Sequence, residues 1–411
     1  MKKTILLLLL LFFSFSGCVP MQIEKAECDC DEQEENIKAE ECNIVEVKDK
    51  ADKKIIPYSQ LKKAEWYEVD FVFNEDDLVS AWPAWMHSCS ALIHQKQWKK
   101  TCSISNLMDN PTKEEIISFF KANFSLYKSW NEDGSDHGLI TGYYQPILNG
   151  SKEPSKKFNT PIYRTPTDLI TVDLSEIYPD MKYKRLRGKV EGNKLLPYFS
   201  REQISSNENI LKGNELFWVD NAVEAFFLEI QGSGIIQFED GSQVPIGYAD
   251  QNGHPYRSMG RALIHAGELS RDKVSMQNIK AWANKNKKKL KGFLDKNPSF
   301  VFFRELDKNN DGPIGAQGVP ITDERSIAID RRYIPMGAPV ILATTYPNSN
   351  DSLNRVVIAQ DTGGAIKGAI RADYYWGAGP DAGKQAGMMK QMGNVWVLLP
   401  KDFSFNKKKE Q

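Results

Sequence analysis

Neither sign of charge is in excess in this chain. Its 411 residues carry 53 Lys plus Arg against 54 Asp plus Glu, a formal net charge of −1. Nothing in that balance points to nucleic acid, and no nucleic-acid partner is expected. Histidine is scarce: His87, His94, His137, His254 and His265 share no ligand spacing. Cys28 and Cys30 would need two further well-spaced ligands, which are missing, so no metal and no cofactor are expected. "GSG" at 232–234 lacks the full glycine pattern and βαβ setting of a dinucleotide site. No Gly-x-Ser-x-Gly elbow is present, which weakens a serine-hydrolase reading. "DKNNDGPIG" (307–315) starts like a calcium loop, but Pro313 stands at its seventh position and Gly318 at its twelfth, where glutamate should chelate. It reads as a turn. No internal repeat is visible.

Hydrophobic residues make up 41% and charged ones 26%, as in a soluble globular protein, and the length allows two domains. The N-terminus stands apart. "MKKTILLLLLLFFSFSGC" has a basic pair, an apolar run from Ile5 to Phe13 and small residues before Cys18, the layout of a secretory signal. The run is too short to span a bilayer comfortably. The segment resembles a bacterial lipoprotein signal (1–17), cut before Cys18 with that cysteine lipidated; ordinary cleavage and release is the alternative. Val19 after it, by resemblance to sorting rules, favours the periplasmic side of the outer membrane. Residues 18–54, rich in Glu, Asp and Lys, read as a solvated tether. Export permits disulfides. Cys89 and Cys102, close together in the folded region, are the candidate pair; Cys28, Cys30 and Cys42 lie in the acidic segment.

Folded sequence is expected from about residue 55. "PTKEEIISFFKANFSLY" (111–127) predicts a helix, with Ile116, Phe120 and Phe124 at helical spacing. "GLITGYYQPIL" (138–148) predicts a strand. "VEAFFLEIQGSGIIQFEDGSQVPIGYA" (223–249) reads as strands joined at an Asp240-Gly241 turn. "YRSMGRALIHAG" and "SMQNIKAWANKNKKKLKGFL" predict two helices, the second capped by Ser275. After Phe300, short apolar runs between Gly, Pro and Asp turns predict all-β structure. A β-barrel or sandwich is favoured over a parallel α/β sheet.

Three aspartates stand out late in the chain: Asp330 in "AIDRRYIPMG", Asp361 in "AQDTGGAIKG" and Asp373 in "IRADYYWG". Any one alone reads as a strand end accepting turn hydrogen bonds. Together they invite a chemical reading. Gly363 and Gly364 allow close approach of a ligand to the backbone. Tyr374, Tyr375 and Trp376 offer flat faces that suit sugar rings. Lys367 could hold an acidic neighbour ionised. A general acid needs a carboxyl with raised pKa, which an apolar setting and a charged neighbour supply. Asp361 and Asp373 fit that division. The sequence leaves open whether they straddle a bond or share one side of it.

The chain resembles the membrane-bound lytic murein transglycosylase A family. The resemblance rests on "TGYYQP" (141–146), "PIYRTP" (161–166), "IQGSG" (230–234), "NGHPYRSMG" (252–260), "NPSFVFF" (297–303), "IDRRYIPMG" (329–337) and "QDTGGAIKGAIRADYYWGAGPDAG" (360–383). The last piece also resembles the three-aspartate module of other peptidoglycan-acting proteins. The resemblance implies a mainly β fold: a double-psi β-barrel from 55–147 and 306–404, an inserted β-domain with helices from 148–305, and a polar tail at 405–411. It implies Asp373 as catalytic acid and Asp361 as supporting carboxylate. Tyr143, Tyr144, Gln231, Gly232, Ser233, Asp330, Gly363, Gly364, Lys367 and Tyr374 are the candidate substrate contacts. Tyr143 and Tyr144 are adjacent on a strand and point oppositely, so at most one should face the sugar; core packing is the alternative for both. For Gln231 to Ser233 the alternative is a plain bend.

The family cuts the β-1,4 bond between N-acetylmuramic acid and N-acetylglucosamine without water. The implied partners are peptidoglycan glycan strands, the membrane through the lipid anchor, and a wall-remodelling complex. Two rivals remain: a non-catalytic wall-binding lipoprotein using the same groove, and a glycoside hydrolase on the same barrel.

Overall fold

The computed structural model describes residues 56–405 apart from 182, 183 and 185. The signal segment, Cys18, the tether with Cys28, Cys30 and Cys42, and residues 406–411 lie outside the described residues. In chain order the strands are β1 (Leu61–Lys63), β2 (Phe124–Ser129), β3 (Gly138–Gln145), β4 (Ile147–Ser151), β5 (Thr160–Tyr163), β6 (Ile170–Val172), β7 (Leu186–Glu191), β8 (Lys194–Pro197), β9 (Glu215–Val219), β10 (Ser233–Gln237), β11 (Gln243–Gln251), β12 (Val301–Glu305), β13 (Ser326–Ile329), β14 (Pro339–Thr345), β15 (Ser352–Asp361), β16 (Ala372–Ala378) and β17 (Lys390–Pro400).

One sheet runs β1-β2-β17-β14-β15-β13-β16-β3, and β17 also pairs with β3. That extra pairing closes β3, β17, β14, β15, β13 and β16 into a barrel, which leaves no free edge among them. The first half of β17 pairs with β3 and the second with β2. Ile327, Val340, Val357, Tyr374 and Val397 share one face of this sheet and lie fully buried in the main core. A second sheet, β12-β11-β10-β4-β9-β5, and a small one, β6-β7-β8, come from the stretch between β3 and β13. The crossing is made at Pro146. The expected strand over 138–148 breaks there, because proline has no N–H for the ladder, and β4 joins the second sheet.

Three other expectations need correction. The helix predicted over 111–127 spans only Lys113–Asn123; Thr112 caps it reciprocally with Glu115. From Phe124 the chain is β2, held by pairing with β17. Long-range pairing overrides the local apolar spacing there. The second correction lies at 223–249, whose first third is a helix, Ala222–Gln231, capped by Asn221. Its apolar run "AVEAFFLEI" fits a buried helix as well as a strand, which periodicity cannot separate. Gly232 ends it in the left-handed region at φ 81°, where glycine alone carries no Cβ penalty. The Asp240-Gly241 turn does join β10 to β11, with Asp240 accepting from the Ser242 amide. The third correction is a helix, Gly379–Met388, inside the expected all-β tail. The helix after Ser275 forms as two pieces, Met276–Lys285 and Lys287–Asp295, meeting at Asn286. Ser275 accepts from the Asn278 amide.

Cys89, on the helix Leu78–Leu92, and Cys102, on Lys96–Ser105, form a disulfide. Their separation of 13 residues closes a short loop, which contributes about 3 kcal/mol in the chain-entropy description. Cys102→Ser should lower the unfolding free energy of oxidised protein by that amount, read as a lower urea midpoint, and added reductant should then have no further effect. Equal midpoints for the oxidised parent and the variant would show that the bond adds nothing.

Candidate active site

Strand alternation decides which side chains reach the site. On β16, Asp373 and Tyr375 share one face, Tyr374 and Trp376 the other. β3 runs parallel beside it, with Thr141 opposite Asp373 and Tyr143 opposite Tyr375. On the other flank Ala328 of β13 stands opposite Asp373. Beyond it, Asp361 of β15 stands opposite the same Ala328. The two carboxylates thus flank one small side chain, two strand spacings or about 10 Å apart at Cα.

That register depends on a bulge. Ser326 pairs with Ile358 and Ile327 with Ala359, but Ala328 pairs with Asp361, skipping Gln360. Without the extra residue Asp361 would turn to the opposite face. Gln360 is fully buried and pinned. Its Nε2 donates to the Ala84 carbonyl at 3.0 Å, and its Oε1 accepts from Ser326 Oγ at 2.5 Å.

The aspartates differ in their partners. Asp361 Oδ1 accepts from the amides of Ala316 at 2.9 Å and Thr362 at 2.8 Å. Burial nevertheless holds its carboxyl above the usual carboxylate range, and the charge of Asp373 adds to the rise. The Tyr143 hydroxyl, buried without a close hydrogen-bond partner, faces it and favours the ionised form. Among the described residues Asp373 has no backbone donor. Its Oδ1 accepts from Thr141 Oγ at 2.5 Å. Burial raises its carboxyl too, against Thr141 and the nearby Arg371 guanidinium. Both groups lie deep among protein atoms yet keep some accessible surface. Asp330 is different: Arg332 grips it through Nε at 2.9 Å and Nη2 at 2.5 Å, and the Gly368 amide donates to it at 3.0 Å. Burial pushes its carboxyl up, but these bonds outweigh that and leave it below the ordinary range.

A cavity of 780 Å³ opens beside Asp361. Asp330, Asp361, Gly363, Gly364 and Lys367 line it from the barrel side, and Gln231, Gly232 and Ser233 from the turn between the helix and β10. These eight expected site residues are thereby brought together. Asp330 needs a correction of role: with its oxygens committed to Arg332 and Gly368, it braces the loop 362–371 rather than offering a free acceptor. Gln231 likewise has its Oε1 committed, to the Tyr144 amide at 2.9 Å. Asp373 is not among the lining residues, but it keeps accessible surface on the same sheet face as Asp361. Tyr143 lies with it, packed against Tyr375 and Ala328.

Tyr144 and Tyr374 are corrections. Tyr374 is fully buried in the barrel core, its hydroxyl donating to the Glu324 carbonyl at 2.8 Å. Tyr144 is also buried there, with Gly383 against its ring and Lys280 3.5 Å from its hydroxyl. Strand alternation sends both away from the aspartates, so neither offers a sugar a face. Sequence reading missed Tyr248 and Tyr256, which line the cavity 39% and 46% exposed and supply the flat faces instead. Both lie in stretches already named, Tyr256 in "NGHPYRSMG" and Tyr248 near the end of 223–249, but no aromatic neighbour marks either. It also missed Thr141 and Arg371, although both sit within quoted motifs; Thr141 is two residues from Tyr143 and so on the same strand face.

Comparison with known proteins agrees along the chain. The model of the MltA specific insert domain matches residues 139–304, and that of the 3D domain matches 325–399. A protein of Escherichia coli (strain K12) named membrane-bound lytic murein transglycosylase A is 35% identical over 281 residues, 66% of this chain and 68% of that one. The monoclinic crystal structure of MltA from Neisseria gonorrhoeae superposes with a TM-score of 0.73 at 36% identity, over 84% of this chain and 93% of that one. Escherichia coli MltA with bound chitohexaose superposes with a TM-score of 0.60 at 27% identity, over 78% of this chain and 90% of the other.

Proposed function

Since the chain belongs to the membrane-bound lytic murein transglycosylase A family, we propose that it cleaves the β-1,4 bond between N-acetylmuramic acid and N-acetylglucosamine in peptidoglycan and leaves a 1,6-anhydromuramic end. The observation that carries the chemistry is the pair of unequal carboxylates flanking Ala328 on one sheet face. Two backbone amides favour ionised Asp361. Two neighbouring carboxyls raise one another, and in this reading the amides decide the order: Asp361 ionises first, and Asp373, with no backbone donor among the described residues, holds the proton.

In this reading Asp373 protonates the glycosidic oxygen, which leaves with the electron pair of its bond to C1. An oxocarbenium-like centre remains. Asp373, now a carboxylate, takes the proton of the muramyl C6 hydroxyl as that oxygen bonds to C1. One carboxyl serves first as acid and then as base. Because the nucleophile belongs to the substrate, no second carboxylate is needed across the bond, and both can sit on one face. Asp361 keeps Asp373 protonated before the step and offsets positive charge at C1 during it. Tyr248, Tyr256, Gly363 and Gly364 let the glycan lie against the cavity wall. The six-strand closure with its intervening sheets corresponds to a barrel domain and an inserted domain. Cys18 as a lipid anchor would place the enzyme at the periplasmic side of the outer membrane.

The test is mass spectrometry of muropeptides released from purified sacculi. Products lighter by one water than those of a lysozyme digest are expected. Reducing ends would favour a hydrolase on the same barrel, and intact sacculi with bound protein would favour a wall-binding lipoprotein.

A further inference from the structure

Asp373 does not stand alone with its proton. Arg371 Nη2 donates to Thr141 Oγ at 2.8 Å, and the same Oγ lies 2.5 Å from Asp373 Oδ1. A guanidinium has no acceptor, so Thr141 must accept from it. The single hydroxyl proton of Thr141 is thereby left for Asp373 Oδ1. Arg371 cannot swing away easily, because Nη1 also donates to the carbonyls of Ala372 and Leu139. No carboxylate pairs with it directly among its described hydrogen bonds.

We propose that Arg371 and Thr141 form a one-way relay that fixes the acid proton of Asp373 on Oδ2, the oxygen not occupied by Thr141. Both are positioning residues for the reaction, and the proposal rests on Asp373 being the acid. The relay has two consequences. It removes one of the two sites the proton could occupy, so the acid waits in one orientation. It also stabilises the carboxylate that forms once the proton has left, through a hydrogen bond and a fixed positive charge. The other groups around Asp373 are Tyr143 on β3, Tyr375 on its own strand, Asp361 across β13, and Lys390, which pairs with Thr141 from β17. Among the described residues only Arg371 reaches Asp373 through a hydroxyl whose direction is forced.

The experiment is the pH dependence of anhydromuropeptide release for Thr141→Val, Thr141→Ser and Arg371→Gln, with Asp373→Asn alongside. A general acid acts while protonated, so its titration sets the alkaline limb of activity. Thr141→Val removes a bond to the charged form, so the limb should move up by about one pH unit while kcat falls about tenfold or more. Thr141→Ser keeps the hydroxyl and should restore both. Arg371→Gln keeps a donor for Thr141 but not the charge, and should move the limb upward too; it carries the test alone if Thr141→Val does not fold. A limb fixed at the parental pH in Thr141→Val and Arg371→Gln, whatever their rates, would overturn the relay. Undiminished activity of Asp373→Asn would instead overturn the reading beneath it.

Discussion

Asp373→Asn is expected to lower the rate of anhydromuropeptide release by at least about a hundredfold, the lower end of what a positioned general acid supplies. The melting temperature should stay within a few degrees. An asparagine keeps an oxygen for Thr141 to donate to, so the 2.5 Å contact survives. It also removes a carboxyl that is buried beside a second one, a strained arrangement held for chemistry rather than for stability. Asp361→Asn should cost activity by another route. It leaves the amides of Ala316 and Thr362 with the amide oxygen to donate to, but takes away the charge that keeps Asp373 protonated. The alkaline limb of the pH profile should therefore move down in Asp361→Asn. A profile unchanged in Asp361→Asn would deny Asp361 its electrostatic role. Full activity in Asp373→Asn would remove the site assignment and leave the fold and family untouched.

The aspartate pair was legible in the sequence because glycines and aromatics crowd around it within a short stretch. Its geometry was not. The pairing of both carboxylates with Ala328 depends on the skipped Gln360, and a bulge leaves no mark in a strand whose residues are apolar on both faces. Strand alternation at "TGYY" did allow one tyrosine at most near the site. It could not say which, since that needs the register of β3 on β16. The helix Ala222–Gln231 was read as a strand because its apolar residues run nearly unbroken. The helix Gly379–Met388 was missed because glycine and proline at its start read as a turn. Each of these was settled by contacts remote in sequence, which local pattern does not contain.

The largest effect on stability is expected at a residue that no motif marks. Asp76, fully buried, closes the helix Asp70–Glu75 and accepts from Arg325 Nη1 at 2.8 Å, from Arg355 Nη1 at 3.3 Å and from the Val356 amide at 2.7 Å. Arg325 is 6% exposed at its side chain. It also donates to the carbonyls of Asp77 and Val356. Asp76→Ala would strand a buried guanidinium and a buried amide, which costs about 3–5 kcal/mol. Arg325 immediately precedes β13, and Val356 lies on β15, so this carboxylate ties together the two strands that carry Ala328 and Asp361. Asp76→Ala should therefore lower the urea midpoint and also reduce activity below the melting transition, because the register that aligns the two aspartates loses its clamp. Removing both charges distinguishes an ion pair from a packing contact. Asp76→Ala with Arg325→Met should be less destabilised than the sum of the single variants, since no unpaired charge from this pair is left buried. Additive losses would show that Asp76 acts through its backbone-facing bonds alone, and an Asp76→Ala protein as stable as the parent would deny the clamp altogether.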